Sequence, residues 1–170
     1  MKEEMLLTID PGIAGGMAWR DSEGVVTACP MPSGMTAQCD LIRSLSADGI
    51  RRAVVEKVGT GMPGNAAAAM TTFSRHCGNL EAALYMAGIS VTEVLPSKWM
   101  KAIGHGVTKY LPGGYKDLPK PEQAKARARA KTANKNAIKE AMARRYPMID
   151  VTLKTADALG MMEYAREELL

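Results

Sequence analysis

Near its N-terminus the sequence reads Met5-Leu-Leu-Thr-Ile-Asp10-Pro-Gly12, a short apolar run that ends in an acid. The run does not alternate with polar residues, a pattern typical of a strand buried on both faces. Two more acids hold comparable places, in Arg52-Ala-Val-Val-Glu56 and in Thr155-Ala-Asp157-Ala-Leu159. Ionised side chains are rarely buried without a partner, so these positions favour a functional role over packing.

Converging carboxylates are suited to hard cations, because Mg²⁺ prefers oxygen ligands. Each acid also has an ordinary alternative: Asp10 as a turn-forming residue, Glu56 in a strand-end salt bridge, and Asp157 as an acid at a helix N-terminus. None of these alternatives accounts for all three acids together. The sequence therefore indicates a metal-dependent nuclease with Asp10, Glu56 and Asp157 as catalytic and metal-binding residues.

The order of the predicted elements indicates an α/β fold with a mixed five-stranded sheet and helices on both faces. Three antiparallel strands come first, and strands one, four and five are expected to be parallel neighbours. The predicted strands are Met5–Ile9, Met17–Arg20, Val25–Cys29, Arg52–Glu56 and Ile89–Leu95. The predicted helices are 35–47, Asn65–Ala87, Pro96–Gly104, Thr132–Tyr146 and Thr155–Leu169.

The length of 170 residues and the 46% apolar content predict one domain spanning residues 1–170. A Gly-, Pro-, Lys- and Arg-rich segment at about 105–131 is expected to be a mobile basic insertion, helical from Pro121. The apolar runs are too short for a membrane span, and the N-terminus lacks the order of a secretion signal. Three cysteines without CxxC spacing suit a reducing cytoplasm rather than a disulfide frame or a zinc site.

The charge is strongly asymmetric along the chain. Between Lys98 and Arg145 the sequence has 13 Lys/Arg and 3 Asp/Glu, a local balance of +10, whereas the rest has 9 and 15. A basic segment on an otherwise acidic chain is typical of a polyanion-binding surface, with a solvated helical face as the alternative. The expected DNA-binding residues are Lys98, Lys101, Arg127, Arg129, Lys131, Lys135 and Lys139, with Arg75 as a weaker candidate.

The chain resembles the RuvC Holliday-junction resolvases of the ribonuclease H-like superfamily. The resemblance rests on Ile9-Asp-Pro-Gly12, Val54-Val-Glu56 and Ala156-Asp-Ala-Leu159. The phage-borne branch is most similar, through Leu95-Pro-Ser-Lys-Trp-Met-Lys-Ala-Ile-Gly104 and Lys135-Asn-Ala-Ile-Lys139. This resemblance implies a cytoplasmic homodimer, in a bacterium or a phage-infected cell, that binds a four-way DNA junction and cuts two opposed strands. It also implies Mg²⁺ as the cofactor, with Mn²⁺ as a substitute.

Two positions depart from the family pattern. A fourth acid usually lies three residues before the last one, and here that position is Lys154, which puts a second metal ion in doubt. Lys154 is predicted either to supply positive charge beside Asp157 from the same helical face, or to point to solvent while Asp150 provides the missing oxygen. An aromatic wedge is often found three residues after the strand-four acid, where this chain has Gly59; Met62 is an alternative wedge or an ordinary loop residue.

Three other residues have both a functional and a structural interpretation. Trp99 is expected to stack on a DNA base or, more commonly for a short amphipathic helix, to anchor the core. His76 and His105 are candidates for proton transfer or metal binding, although a lone histidine is usually structural.

Three other functions compete with junction resolution. A YqgF-type nuclease acting on structured RNA shares the Asp-x-Gly opening but is shorter and lacks the basic insertion. A sugar-kinase or chaperone-type ATPase lobe would need about twice this length. A catalytically impaired junction-binding module is the third, because Lys154 replaces an acid.

Overall fold

The computed structural model describes residues 4–57 and 67–169. The strands are β1 Leu6–Asp10, β2 Gly16–Arg20, β3 Val26–Pro30, β4 Arg52–Glu56 and β5 Ser90–Val94. The helices are α1 Met35–Ala47, α2 Ala67–Met86, α3 Pro96–Ala102, α4 Lys120–Arg145 and α5 Ala156–Glu168. Two short 3-10 turns, Val107–Tyr110 and Tyr115–Asp117, lie between α3 and α4.

The sheet has the strand order β3-β2-β1-β4-β5. Strands β1, β2 and β3 pair in antiparallel fashion, whereas β1 pairs with β4, and β4 with β5, in parallel. This arrangement confirms the predicted α/β fold with a mixed five-stranded sheet, in which three antiparallel strands come first. It also confirms that strands one, four and five are parallel neighbours.

Alternate side chains of β1 pack into two separate hydrophobic cores, because successive residues of a strand point to opposite faces of the sheet. Leu7 and Ile9 pack with residues of α1 and α2 on one face. Leu6 belongs to the other core, which α5 dominates. On that face the Thr8 hydroxyl donates to the Ala158 carbonyl oxygen at 2.8 Å, which joins β1 to the first turns of α5.

Helix α5 is the central helix of its layer. Its residues 156–165 are all buried, and it contacts β1, β2, β4, α3 and α4. Thr155 precedes α5 as predicted, but its hydroxyl is engaged with Thr152 and does not cap the helix. Helix α5 is therefore held mainly by packing, which is the usual source of helix stability in proteins.

Helix α4 begins at Lys120, which confirms the predicted helicity from Pro121 and makes that stretch continuous with the helix predicted over Thr132–Tyr146. Pro121 lies in its first turn, where proline is favourable, and the following Ala, Lys and Arg residues have high helix propensity. Apolar periodicity contributes little to the prediction of this part, because it has few apolar side chains other than alanine. The segment predicted as an insertion thus contains two 3-10 turns and the first half of α4.

Some sequence predictions lie outside the described residues, namely the start of the predicted helix at Asn65 and the wedge positions Gly59 and Met62. Within residues 4–57 and 67–169, no helix is both long and apolar enough to cross a membrane. Cys29, Cys39 and Cys77 are free thiols.

Candidate active site

The register of β1 and β4 brings two acids to the same edge of the sheet. Thr8 lies beside Val54 and Ile9 beside Val55, so one further step places Asp10 next to Glu56 at the carboxyl ends of the strands. Asp10 shares the face of Thr8, and Glu56 shares the face of Val54, because side chains two residues apart point the same way. Both acids therefore lie on the sheet face that α5 covers.

Asp157 reaches this edge from the first turn of α5. It is 7% exposed, and α5 packs across β1 through the Thr8–Ala158 hydrogen bond. A carboxylate in a first turn is favoured by the helix macrodipole. Burial raises the pKa of Asp157 above its ordinary value, while Lys135 lowers it. The structure therefore brings together the three acids predicted from sequence.

The three carboxylates act on one another electrostatically. Burial, and then repulsion from Glu56 and Asp157, raise the pKa of Asp10 to about 8. Burial and repulsion from Asp157 raise the pKa of Glu56 to about 7, against a lowering effect of the Trp99 hydrogen bond. Buried like charges resist ionisation unless a cation compensates them. This edge of the sheet therefore favours positive charge.

Lys135 of α4 is the basic side chain that acts on this cluster, since it lowers the pKa of Asp10, Glu56 and Asp157 alike. It follows Asn134, a buried residue whose Oδ1 accepts the Gly106 N–H at 2.8 Å. That hydrogen bond ties α4 to the segment after α3. Lys135, predicted as a DNA-binding residue, therefore also belongs to the carboxylate site.

Of the two interpretations of Lys154, the structure agrees with the one in which its side chain points to solvent rather than with a cationic role beside Asp157. That role assumed a shared helical face, but α5 begins at Ala156 and Lys154 lies exposed in the preceding turn. Its backbone carbonyl oxygen packs against Gly16, where an added Cβ would be only 2.4 Å away. Asp150 is also exposed, in the loop that precedes α5. Lys135 supplies the charge that the sequence interpretation gave to Lys154.

Trp99 is fully buried, which confirms its interpretation as a core anchor rather than a base-stacking residue. Its indole Nε1–H donates to Glu56 Oε2 at 2.8 Å. The ring packs against Gly160 of α5, where an added Cβ would lie 2.7 Å from Trp99 Cζ3. Apolar periodicity predicted a buried Trp, but it gave no signal for this hydrogen bond or for the requirement for glycine at position 160.

The side chains of Asp10, Glu56 and Asp157 offer carboxylate oxygens to a metal ion. Carboxylate oxygens are the ligands of hard divalent cations, and one buried and two half-buried acids with one lysine carry surplus negative charge. Among the residues that the structure describes, no three His, Cys, Asp or Glu side chains are gathered into a metal-holding group. The donor chemistry and the charge therefore fit Mg²⁺ or Mn²⁺, without a ready-made cage.

All eight predicted DNA-binding residues are exposed. Arg127, Lys131, Lys135 and Lys139 are spaced four residues apart on α4, so they form one inclined row, here called the basic row. The row runs beside the buried stripe of Ala130, Asn134, Ile138 and Met142. At a rise of about 1.5 Å per residue it extends roughly 18 Å. The basic row passes the carboxylate site at Lys135.

The other basic candidates lie elsewhere. Lys98 Nζ lies 5.8 Å from the centroid of the Tyr164 ring, a cation–π contact on the α3–α5 side. Lys101 is on the same short helix, α3, and Arg129 is on α4. Arg75 lines a cavity of about 610 Å³ beside Gly12, formed with α1 and α2 on the opposite face of the sheet.

Neither histidine approaches the carboxylates in a way that alters their pKa. His76 lines the Gly12 cavity, and its buried Nε2 has no hydrogen-bond partner among the described residues. The same holds for Nδ1 of His105. Burial lowers the pKa of both, and Lys109 and Arg144 lower that of His105 further. The two histidines remain unassigned to the site.

The chain is similar to known proteins in structure rather than in sequence. No protein-family model matches the sequence, and no curated protein matches it. A structure of Thermus thermophilus RuvC is 16% identical with a TM-score of 0.44, covering 96% of this chain and 95% of that one. A second, T. thermophilus RuvC in complex with a Holliday junction substrate, is 15% identical with a TM-score of 0.38, covering 60% and 71%. At these values the likeness carries no argument about activity.

Two features of the molecule define its fold, the strand order and the positions of the three acids. Three antiparallel strands followed by two parallel ones, with acids at the ends of β1 and β4 and at the start of α5, form a mixed five-stranded α/β fold. This agrees with the resemblance found in the sequence motifs.

In EDTA, we expect the free energy of unfolding to fall as the pH rises from about 6 to about 8. Asp10 and Glu56 have folded-state pKa values of about 8 and about 7, above their ordinary values of 3.8 and 4.5. The folded protein therefore holds protons that the unfolded chain has released, so the stability is present at low pH and lost on deprotonation. Urea unfolding across this range should show a shallower slope for Asp10→Asn, by up to about 1.4 kcal/mol per pH unit.

The matched control for this measurement is Asp150→Asn, because Asp150 is an exposed acid in the loop before α5. It should keep the wild-type slope. Equal slopes for wild type and Asp10→Asn would show that Asp10 is not held in a proton-binding cluster.

Proposed function

We propose that the chain is a metal-dependent endonuclease that resolves four-way DNA junctions by hydrolysing a phosphodiester bond in each of two opposed strands. One observation supports this proposal above the others. The half-buried Asp10 and Glu56 and the buried Asp157 act electrostatically on one another at the carboxyl edge of the sheet, and Lys135 of the basic row acts on all three. A phosphate backbone following the row would come close to the acids. A site that combines hard-cation ligands with a polyanion track suits phosphodiester hydrolysis.

Asp10, Glu56 and Asp157 would hold the metal, which we propose is Mg²⁺ with Mn²⁺ as a substitute. When bound, a divalent ion lowers the pKa of water and stabilises the charge that develops on the leaving oxygen. The hydrolysis adds water across the bond between phosphorus and the 3′ oxygen, so that oxygen leaves as a hydroxyl and the phosphate stays on the other strand end.

The chain's own side chains have separate tasks in this reaction. Trp99 holds the Glu56 carboxylate through Oε2. Lys135 favours the ionised form of all three acids. Once a metal ion compensates the carboxylates as well, its ammonium group would be available to a phosphate oxygen. The remaining residues of the basic row fix the DNA backbone without reading its sequence.

The proposed substrate is tested by incubating the protein with a four-way DNA junction, a linear duplex of the same sequence and a structured RNA, in Mg²⁺, Mn²⁺ or EDTA. We expect paired nicks in opposed strands of the junction, in either metal and not in EDTA. Preferential cleavage of the RNA would favour the YqgF-type alternative. Tight junction binding without cleavage in any metal would favour the impaired binding module, an alternative that the loose arrangement of the acids keeps open.

We also propose that the active form is a homodimer, because two symmetric cuts need two sites related by a two-fold axis. Helix α2 carries exposed apolar side chains, Tyr85 and Met86, each 82% exposed, which suit an interface between copies. Sedimentation equilibrium should give twice the mass of 18.2 kDa. A monomer at every concentration would contradict the proposal.

Removing charge from the basic row should weaken junction binding and flatten its salt dependence. The double variant Lys131→Ala/Lys139→Ala removes two cations on either side of Lys135, so the slope of log K against log salt should fall by about 2. Affinity at low salt should drop by about tenfold or more. Fluorescence anisotropy in EDTA measures both quantities without cleavage.

The control for charge alone is Arg43→Ala/Arg51→Ala, because both side chains are exposed and lie outside α4. It should leave the salt slope near that of the wild type. If the control and the row variant lose the same affinity, net charge rather than the row governs binding.

A further inference from the structure

Among the described residues, the Glu56 carboxylate accepts a side-chain hydrogen bond through one of its two oxygens. Its Oε2 accepts the indole N–H of Trp99 at 2.8 Å, and Trp99 is the one side chain that hydrogen-bonds it among the described residues. An indole nitrogen is a donor only, so this oxygen must act as the acceptor. In the part of the chain that the structure describes, no side chain donates a hydrogen bond to the other oxygen, Oε1. The two oxygens of Glu56 are therefore chemically unequal before any ligand binds.

Trp99 is held too firmly to move away from Oε2. Its ring is fully buried, and it lies in the core that α5 dominates. Gly160 lets the ring approach the α5 backbone so closely that an added Cβ would lie 2.7 Å from Cζ3. Ile103 Cδ1 closes the same space, at 3.2 Å from that Cβ position. Close-packed interiors resist displacement, so the hydrogen bond is enforced by packing.

We propose that Trp99 is a positioning residue that makes Glu56 a one-oxygen ligand, so that the site prefers Mg²⁺ and Mn²⁺ to Ca²⁺. This inference rests on the proposed function, in that it takes Glu56 to be a metal ligand. It goes further because it assigns metal discrimination to a residue that touches neither the metal nor the DNA.

The physical reason is the difference in coordination between the ions. Mg²⁺ takes six ligands in near-ideal octahedral geometry, usually with one or two carboxylates, whereas Ca²⁺ takes more oxygens and readily binds a carboxylate through both. A donor held on Oε2 occupies one of the two lone pairs of that oxygen, which disfavours metal binding through both oxygens of Glu56. Ca²⁺ then loses a ligand that Mg²⁺ and Mn²⁺ do not use. Outer partners of metal ligands commonly change metal affinity by about 10–100-fold.

The test is the ratio of the Ca²⁺ and Mn²⁺ dissociation constants, measured by calorimetric titration of EDTA-treated, desalted protein. Trp99→Phe keeps a ring in the core but removes the N–H. We expect it to reduce the preference for Mn²⁺ over Ca²⁺ by about tenfold. In a Glu56→Gln background, Trp99→Phe should produce no further change in the preference, because the effect acts through the carboxylate.

The matched control is Trp19→Phe, since Trp19 packs against the core on the other sheet face and should leave the preference unchanged. Circular dichroism checks that each variant folds. If Trp99→Phe does not fold, Gly160→Ala is the second variant, because its methyl group pushes the ring away from Glu56.

The outcomes separate the two proposals. An unchanged preference in Trp99→Phe, or an equal change in Trp19→Phe, overturns the role of Trp99 while Mn²⁺ binding still supports the metal site. A wild-type protein that binds no Mn²⁺ overturns both. A reduced preference confined to the Trp99 variant, and absent in the Glu56→Gln background, supports the inference.

Discussion

Asp10→Asn is expected to lower junction cleavage by at least about a thousandfold. The substitution removes the negative charge of a proposed metal ligand, and a bound metal ion would stabilise the transition state by several kcal/mol. Junction binding should persist, because Asp10 is an acid and is not one of the cations of the basic row that are proposed to contact the phosphates. The variant should also be more stable than the wild type in EDTA at about pH 8, because one of three mutually repelling, partly desolvated acids is gone. Single-turnover cleavage and urea unfolding measure the two effects.

Asp150→Asn is the matched control for cleavage as well. Asp150 was the alternative source of the missing oxygen, and it is exposed in the loop before α5. We expect near-wild-type cleavage from this variant. If Asp150→Asn abolished cleavage and Asp10→Asn did not, the ligand set would have to be redrawn around the loop.

Lys135→Ala is expected to have the second-largest effect, lowering the cleavage rate by about 10²–10³-fold. The lysine is the cation that lowers the pKa of Asp10, Glu56 and Asp157, so its loss leaves the three acids without compensation. Part of the lost rate should return as the pH is raised, because the acids then ionise despite their mutual repulsion. A pH–rate profile in saturating Mg²⁺ measures this, with the rising limb shifted to higher pH in the variant.

Lys154→Ala separates the site lysine from the one that the family pattern singled out. Lys154 is exposed in the turn before α5, so its removal should leave both the rate and the pH profile close to the wild type. Equal losses in the two lysine variants would contradict the assignment of the charge to Lys135 alone. Lys135→Arg should retain most of the binding but less of the rate, since guanidinium and ammonium groups differ in geometry.

The strand order was predictable from sequence because each strand is marked by a short apolar run with turn residues on both sides. The run before Asp10 and the run before Glu56 are non-alternating, which indicates strands buried on both faces, and such strands are usually parallel and central. Once they are neighbours, register alone brings the two acids together. The start of α5 was predictable as well, so the convergence of the three acids followed from topology.

The rest of the site depends on contacts between elements that are distant in sequence. Trp99 and Glu56 are 43 positions apart, and no local pattern links an indole N–H to that carboxylate. Gly160 looks like an ordinary helix glycine until the Trp99 ring is placed against it. Lys135 was identified as one cation among many, and only the packing of α4 on α5 distinguishes it from its neighbours in the basic row.

Lys154 shows the opposite error, in which a one-dimensional spacing suggested a contact that the backbone does not make. A separation of three residues places two side chains on one face only within a helix. Because α5 begins at Ala156, the spacing between Lys154 and Asp157 crosses a turn. Spacing arguments near a helix end therefore hold only when both residues lie inside the helix, and Lys154 lies before the first residue of α5.

The most direct test of the metal site is anomalous diffraction from a crystal soaked in Mn²⁺. The account predicts an anomalous peak with carboxylate oxygens of Asp10, Glu56 and Asp157 at about 2.1–2.2 Å, with Trp99 still donating to Glu56. A peak-free map around these three residues in a crystal that holds Mn²⁺ elsewhere would contradict it.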